Sequence, residues 1–153
     1  SAYGLVKHEE TYMTTRSASA RYDGLGKDGK GHISTQSGLL TDAQYGFNTR
    51  FEDGPGTNPE ELIAAAHAGC FTMALAFALA GAGKTQGNLE TKAKVTLEKD
   101  GDGFTITRSD LTLTGHVDGM ERDEFERIAN EAKAGCPVSK VLNCDITLDT
   151  TFG

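Results

Sequence analysis

The chain has 153 residues, enough for one domain with a real core. Its 15 basic and 22 acidic side chains leave a net charge of −7 with no basic run, which speaks against a nucleic-acid partner. Three cysteines, odd in number and far apart in sequence, argue against a disulfide framework and for an intracellular, cytoplasmic setting.

Residues 1–15 show no clear period and read as an irregular or added extension, with Met13 as a candidate native start. No charged segment leading into an apolar run opens the chain, so secretion is not expected. A strand is expected over residues 17–22, then the Gly-rich turn GLGKDGKG, then a second strand over residues 32–36, together a hairpin. The turn resembles a phosphate loop in composition alone: it lacks the G-x-x-x-x-G-K-[ST] spacing and does not run into a helix. A third strand is expected around residues 45–48, followed by the loop EDGPG.

Residues 57–83, TNPEELIAAAHAGCFTMALAFALAGAG, open with a complete helix-start signal. Asn58 can cap, Pro59 suits the first helical position, and Glu60 and Glu61 lie where the helix dipole favours carboxylates. The rest is apolar or small on every side, so the helix is expected to be wrapped by the chain or by a partner. Its length approaches that of a membrane span. However, its Ala and Gly content, the internal His67 and Thr72, and the lack of flanking Lys/Arg clusters favour a buried soluble helix.

Next, LETKAKVTLE alternates cleanly, Leu89, Ala93, Val95 and Leu97 facing one side and Glu90, Lys92, Lys94 and Glu98 the other. It turns at KDGDG into a further strand, and a shift of parity between Ile106 and Leu111 predicts a bulge near residues 108–110. A helix is expected over residues 122–134, with Phe125, Ile128, Ala129 and Ala132 at core spacing. A short helix then starts at Pro137 with Cys136 at its cap, and a last strand turns Ile146, Leu148 and Phe152 to one face. The order of elements reads as a single α+β domain over residues 1–153, with antiparallel sheets packed around the long central helix.

The three thiols differ in context. Cys136 lies at a helix N-terminus, where N–H groups stabilise a thiolate, so it is either a weak cap or a reactive sulfur. Cys70, among Ala, Phe and Leu, has a thiol whose pKa burial raises. It reads as a small core residue unless a cation is brought to it. Cys144 opens a strand without an activating context. His67 precedes Cys70 by about 60° and one turn, so the two can share a face. A packed core histidine, a Cys–His nucleophile and part of a metal site built with Cys70 and Cys136 all fit that spacing.

NPEELIAAAHAGCF and AKAGCPVSKVL, two cysteine motifs in the family's order, together with the preceding YGFNTRFEDGPGTNPEEL, closely resemble the OsmC subfamily of the OsmC/Ohr family, from about Tyr22 to Asp149. The resemblance implies a thiol-based peroxidase of organic hydroperoxides, linked to stress responses and forming an intertwined homodimer. It implies Cys70 as the peroxidatic thiol, Cys136 as the resolving thiol, Glu60 as the active-site carboxylate and Arg50 as its arginine partner. Ohr-type members take an arginine from the first hairpin turn, which here holds Lys27 and Lys30 instead. No cofactor is implied beyond an external dithiol reductant. A non-catalytic protein binding apolar small molecules is the alternative, with Cys70 merely packed. Glu60 and Cys70 lie about 15 Å apart along one straight helix. If both act on one peroxide, the helix breaks between them or the site is shared across a homodimer, which the all-apolar helix favours.

Overall fold

The computed structural model describes residues 13–52 and 54–153. The chain divides after Pro59 into two compact units.

In the N-terminal unit, β1 (Ala18–Asp23), β2 (Lys30–Thr35) and β3 (Ala43–Tyr45) form an antiparallel sheet in that order. The Gly-rich turn is a hairpin connection containing one short 3-10 turn, Gly26–Asp28, with Asp23 opposite Lys30. The third strand ends earlier than expected. Phe47–Phe51, partly assigned to strand by the sequence, is a one-turn helix, α1. Thr49 reverses the local preference: its Oγ1 accepts the Gly46 N–H at 2.7 Å and donates to the Gly46 carbonyl at 3.0 Å, closing the first turn. Thr57 returns along β3, its N–H donating to the Gln44 carbonyl at 2.8 Å, and the Asn58 side chain donates to the Thr49 carbonyl at 2.8 Å.

The C-terminal unit starts in α2 (Pro59–Gly81), one unbroken helix of 23 residues. Gly83 ends it at φ +86°, and the Lys84 N–H reaches back to the Leu79 carbonyl at 3.0 Å. β4 (Gly87–Asp100) and β5 (Gly103–Val117) make a long antiparallel hairpin through the expected KDGDG turn. The expected bulge is present but sits slightly earlier, at Thr107: Thr96 faces Arg108 while Leu97 faces Ile106. Beyond it Ser109, Leu111, Leu113, Gly115 and Val117 all point inward.

α3 (Arg122–Gly135) buries Phe125, Ile128, Ala129 and Ala132, as its spacing predicts. α4 (Pro137–Val141) and β6 (Asp145–Phe152) complete the chain. Here one pairing departs from the expected antiparallel sheets: β6 runs parallel to β5. The helical segment α3–α4 carries the chain back to the starting end of β5, which is the crossover a parallel neighbour requires. The core lies between this sheet and the helices, joining Phe71, Leu75 and Leu79 of α2 to Leu111, Leu113 and Val117 of β5 and to the inner face of α3. Gly115 allows the close approach, because a Cβ there would stand 2.7 Å from the Phe125 ring.

Only one stripe of α2 is covered. Glu60, His67, Phe71, Leu75 and Leu79 are buried, whereas Met73 is 57% and Phe77 36% exposed. A helix apolar all round therefore carries an open apolar face on this chain.

Candidate functional site

The two thiols singled out by sequence meet inside the C-terminal unit. Cys70 comes from the middle of α2 and Cys136 from the junction of α3 and α4, and each lies near enough to shift the other's pKa. Both are free, Cys136 fully buried and Cys70 partly so. The chain places Cys136 there for two local reasons. Its N–H closes α3 on the Ala132 carbonyl at 2.9 Å, and Pro137 at the start of α4 forces the backbone to change direction.

Burial pushes the Cys70 thiol up, and the neighbouring Cys136 adds to the rise against a smaller opposing contribution from the Val138 N–H. Burial also acts to raise Cys136, but the bond from Cys70, the Ser139 N–H and hydroxyl, and the Val138 N–H together outweigh it, and its pKa is lowered. The sulfur makes no side-chain cap bond to α4. Within this chain burial works against a Cys70 thiolate, while the groups at the start of α4 favour one at Cys136. That reverses the order expected for a peroxidatic Cys70, and no cation figures among the groups acting on Cys70. Cys144 is raised by burial and then by Asp145 and Asp110, in keeping with a thiol that has no activating context.

His67 is fully buried and sits between two serines. Its Nδ1 lies 2.6 Å from Ser109 Oγ on β5, and its Nε2 2.8 Å from Ser139 Oγ on α4. Both ring nitrogens are thus occupied by hydroxyls, and burial lowers the imidazole pKa, leaving a neutral ring. Among the described residues no group of three or more His, Cys, Asp or Glu side chains is arranged to hold a metal ion. Sequence spacing drew attention to His67 but missed Ser109 and Ser139, which lie 42 and 72 residues away. Ser139 had one legible signal, its position two residues after Pro137 in the cysteine motif.

Glu60 is buried in the first turn of α2, and the helix runs on to Cys70 without a break, so the two remain about 15 Å apart on this chain. Arg50 belongs to the N-terminal unit. Its guanidinium lies over the Phe51 ring, 5.6 Å from the centroid. With Tyr22, Tyr45, Phe47, Phe51 and Pro59 it lines a mainly apolar depression.

Comparison with known proteins gives this arrangement a family. The sequence profile of the OsmC-like protein family matches residues 52–151. The chain belongs to the OsmC-like family. It is 51% identical over 134 residues to Peroxiredoxin OsmC of Escherichia coli strain K12, covering 88% of this chain and 94% of that protein. It is 33% identical over 123 residues to organic hydroperoxide resistance protein OhrB of Bacillus subtilis, covering 78% of this chain and 88% of the other. The crystal structure of OhrB superposes with a TM-score of 0.68 at 31% identity, covering 90% of this chain and 98% of that one. The α+β fold of this OsmC-like chain, with two three-stranded sheets and a long helix, agrees with that of its structural relatives.

Proposed function

We propose that this OsmC-like protein is a thiol-dependent peroxidase that reduces organic hydroperoxides to alcohols. The observation that carries the reading is that Cys70 and Cys136 pack into one cluster near enough to shift each other's pKa, in a family whose relatives are named peroxiredoxin and organic hydroperoxide resistance protein. Cys70 attacks the peroxide as thiolate: an S–O bond forms, the O–O bond breaks, and the alkoxide leaves as alcohol after taking a proton. Cys136 then attacks the sulfenic sulfur. The S–S bond forms, the S–O bond breaks, and water leaves, with the Cys136 sulfur oxidised and the Cys70 sulfur reduced. An external dithiol reopens the disulfide by exchange, so no bound cofactor is required. A reducing cytoplasm is the compartment that suits such a cycle.

The raised Cys70 pKa makes a cation necessary, because the thiolate is the nucleophile. Arg50 is the proposed cation. Its guanidinium would draw the pair's charge from Cys136 to Cys70 and offer N–H donors to the departing oxygen, with Glu60 holding the fork. Because α2 is unbroken, Glu60 would serve the Cys70 of a second chain. The open face of α2, with Met73 and Phe77, supports a homodimer in which that face is covered. The apolar side chains around Cys70 and Arg50 suit an alkyl hydroperoxide rather than hydrogen peroxide.

The deciding experiment is turnover of alkyl hydroperoxides with a dithiol, with thiols counted before and after one equivalent of peroxide. The wild type should lose two thiols and turn over. Cys70→Ser should abolish both, while Cys136→Ser should consume a single equivalent and accumulate a sulfenic acid that a dione reagent traps. Absence of dithiol-supported turnover with every peroxide tried would refute the peroxidase reading. Binding of apolar molecules with no thiol loss would favour a non-catalytic binding protein.

A further inference from the structure

α4 is five residues long, too short to hold its shape alone, so its place in the fold depends on what anchors it. Apolar burial supplies little. Val138 packs against the core only in part, and Val141 is 76% exposed. Cys136, at the start of α4, is fully buried, and Ser139 is the one buried residue within the helix. The Ser139 hydroxyl lies 2.8 Å from Nε2 of His67, and Nδ1 of the same ring lies 2.6 Å from the Ser109 hydroxyl. Whichever way those protons point, one fully buried imidazole ties α4 to α2 and to β5.

The position of this tie bears on the two thiols. His67 stands three residues before Cys70 on the unbroken α2, and Ser139 three residues after Cys136 at the start of α4. Residues three apart share a helix face, and so do the cap position and the third residue of a helix. The two helices therefore meet through two matched pairs. His67 faces Ser139, and Cys70 faces Cys136 about 4.5 Å further along α2. Cys70 packs against the cluster that contains Cys136, as that register requires. Sliding α4 along α2 would break the 2.8 Å bond and carry the sulfurs out of line together.

We propose that the His67–Ser139 hydrogen bond is a positioning rung that sets α4 in register on α2, so that the Cys136 sulfur stays facing Cys70. His67 and Ser139 are positioning residues that act through the thiols, and Ser109 steadies the ring from β5. The use of the rung rests on the peroxidase reading. Once peroxide has made Cys70 a sulfenic acid, Cys136 attacks that sulfur. The S–S bond forms, the S–O bond breaks, and the hydroxyl leaves as water with the Cys136 proton. Such an attack within one chain is fast only while the two sulfurs are held together, and a sulfenic acid left waiting is open to further oxidation. After a dithiol has reopened the disulfide, the rung keeps α4 seated for the next turnover.

Two measurements made without peroxide test the rung separately from that reading. In a Cys144→Ser background, the Cys70–Cys136 pair is equilibrated with oxidised and reduced glutathione, which accept and supply the two electrons. The disulfide fraction is read by mass after alkylation. Ser139→Ala should lower the equilibrium constant for the disulfide roughly fivefold, the worth of about one hydrogen bond. Ser139→Thr, which keeps the hydroxyl, should restore it. A role in stability alone would lower the urea midpoint of Ser139→Ala and leave this constant at the wild-type value, and that outcome overturns the proposal. The second measurement needs no variant. The Lys140 N–H donates to the Cys136 carbonyl at 3.0 Å and the Leu142 N–H to the Val138 carbonyl at 3.1 Å. In the reduced wild type both amides should exchange slowly with deuterium, and exchange as fast as in an unstructured chain would equally sink the idea. With an alkyl hydroperoxide, the second thiol should be lost about fivefold more slowly in Ser139→Ala than in the wild type. If the wild type loses no thiol to any peroxide, the peroxidase reading fails, and the glutathione equilibrium still decides the rung.

Discussion

At the scale of single residues, one spacing in the sequence held two different functions. Cys70 and His67 lie three apart on one helix, which made a Cys–His nucleophile conceivable, but the imidazole turns to two serines instead. Its burial has a measurable consequence for stability. The folded-state pKa of His67 lies below the ordinary 6.5, because burial penalises the charged ring. Above that value the ring is neutral in folded and unfolded chains alike and the pH has no hold on it. As the pH falls, the unfolded chain takes up a proton that the folded chain refuses, so stability drops until the folded pKa is passed. Urea midpoints followed from about pH 7.5 down to about pH 5 should therefore fall for the wild type. His67→Gln should lose that part of the slope, whatever its starting stability. An identical slope in the variant would show that the ring titrates freely.

At the scale of elements, α2 is uniform in polarity but not in burial. Its apolar residues form two stripes: Phe71, Leu75 and Leu79 face the sheet, and Met73 and Phe77 face outward. The two stripes should respond differently to substitution. Leu75→Ala empties a fully buried position and should cost about 2–5 kcal/mol of stability in urea unfolding. Met73→Glu with Phe77→Glu should leave the core of the C-terminal unit in place and act on association instead. Sedimentation should then report a monomer in place of the dimer proposed for the unaltered protein. If the double variant sediments as the wild type does, the face is not the dimer contact. The same helix also limits the site, because its continuity keeps Glu60 and Cys70 about 15 Å apart on one chain.

At the scale of the whole molecule, the proposed site needs groups from two chains, and complementation tests this directly. Glu60→Gln and Cys70→Ser should each be inactive or nearly so. In a mixed dimer, the intact Cys70 of one chain meets the intact Glu60 of the other, so unfolding and refolding the two variants together should recover activity that neither has alone. No recovery, with mixed dimers verified by a tag on one chain, would place each site within a single chain. Low symmetry of contact is no obstacle: a two-fold dimer presents each chain's Glu60 to the other in the same way.

Much of this was readable in the sequence because the signals are local. Period-two alternation placed β4, core spacing placed α3 with its four buried residues, and Asn58, Pro59 and Gly83 bracketed α2. The motifs around Cys70 and Cys136 carried the family. What depends on long-range packing was not readable. The parallel pairing of β6 with β5 follows from the path of the α3–α4 crossover, and no strand pattern records direction. α1 replaced the end of a strand because one threonine hydroxyl caught the Gly46 backbone. Sequence marked both cysteines and the direction in which each setting moves its thiol, but their meeting belongs to the fold. The groups at the start of α4 that lower Cys136 are its chain neighbours, whereas the burial of Cys70 and the placing of His67 between Ser109 and Ser139 arise only when α2, α4 and β5 pack together.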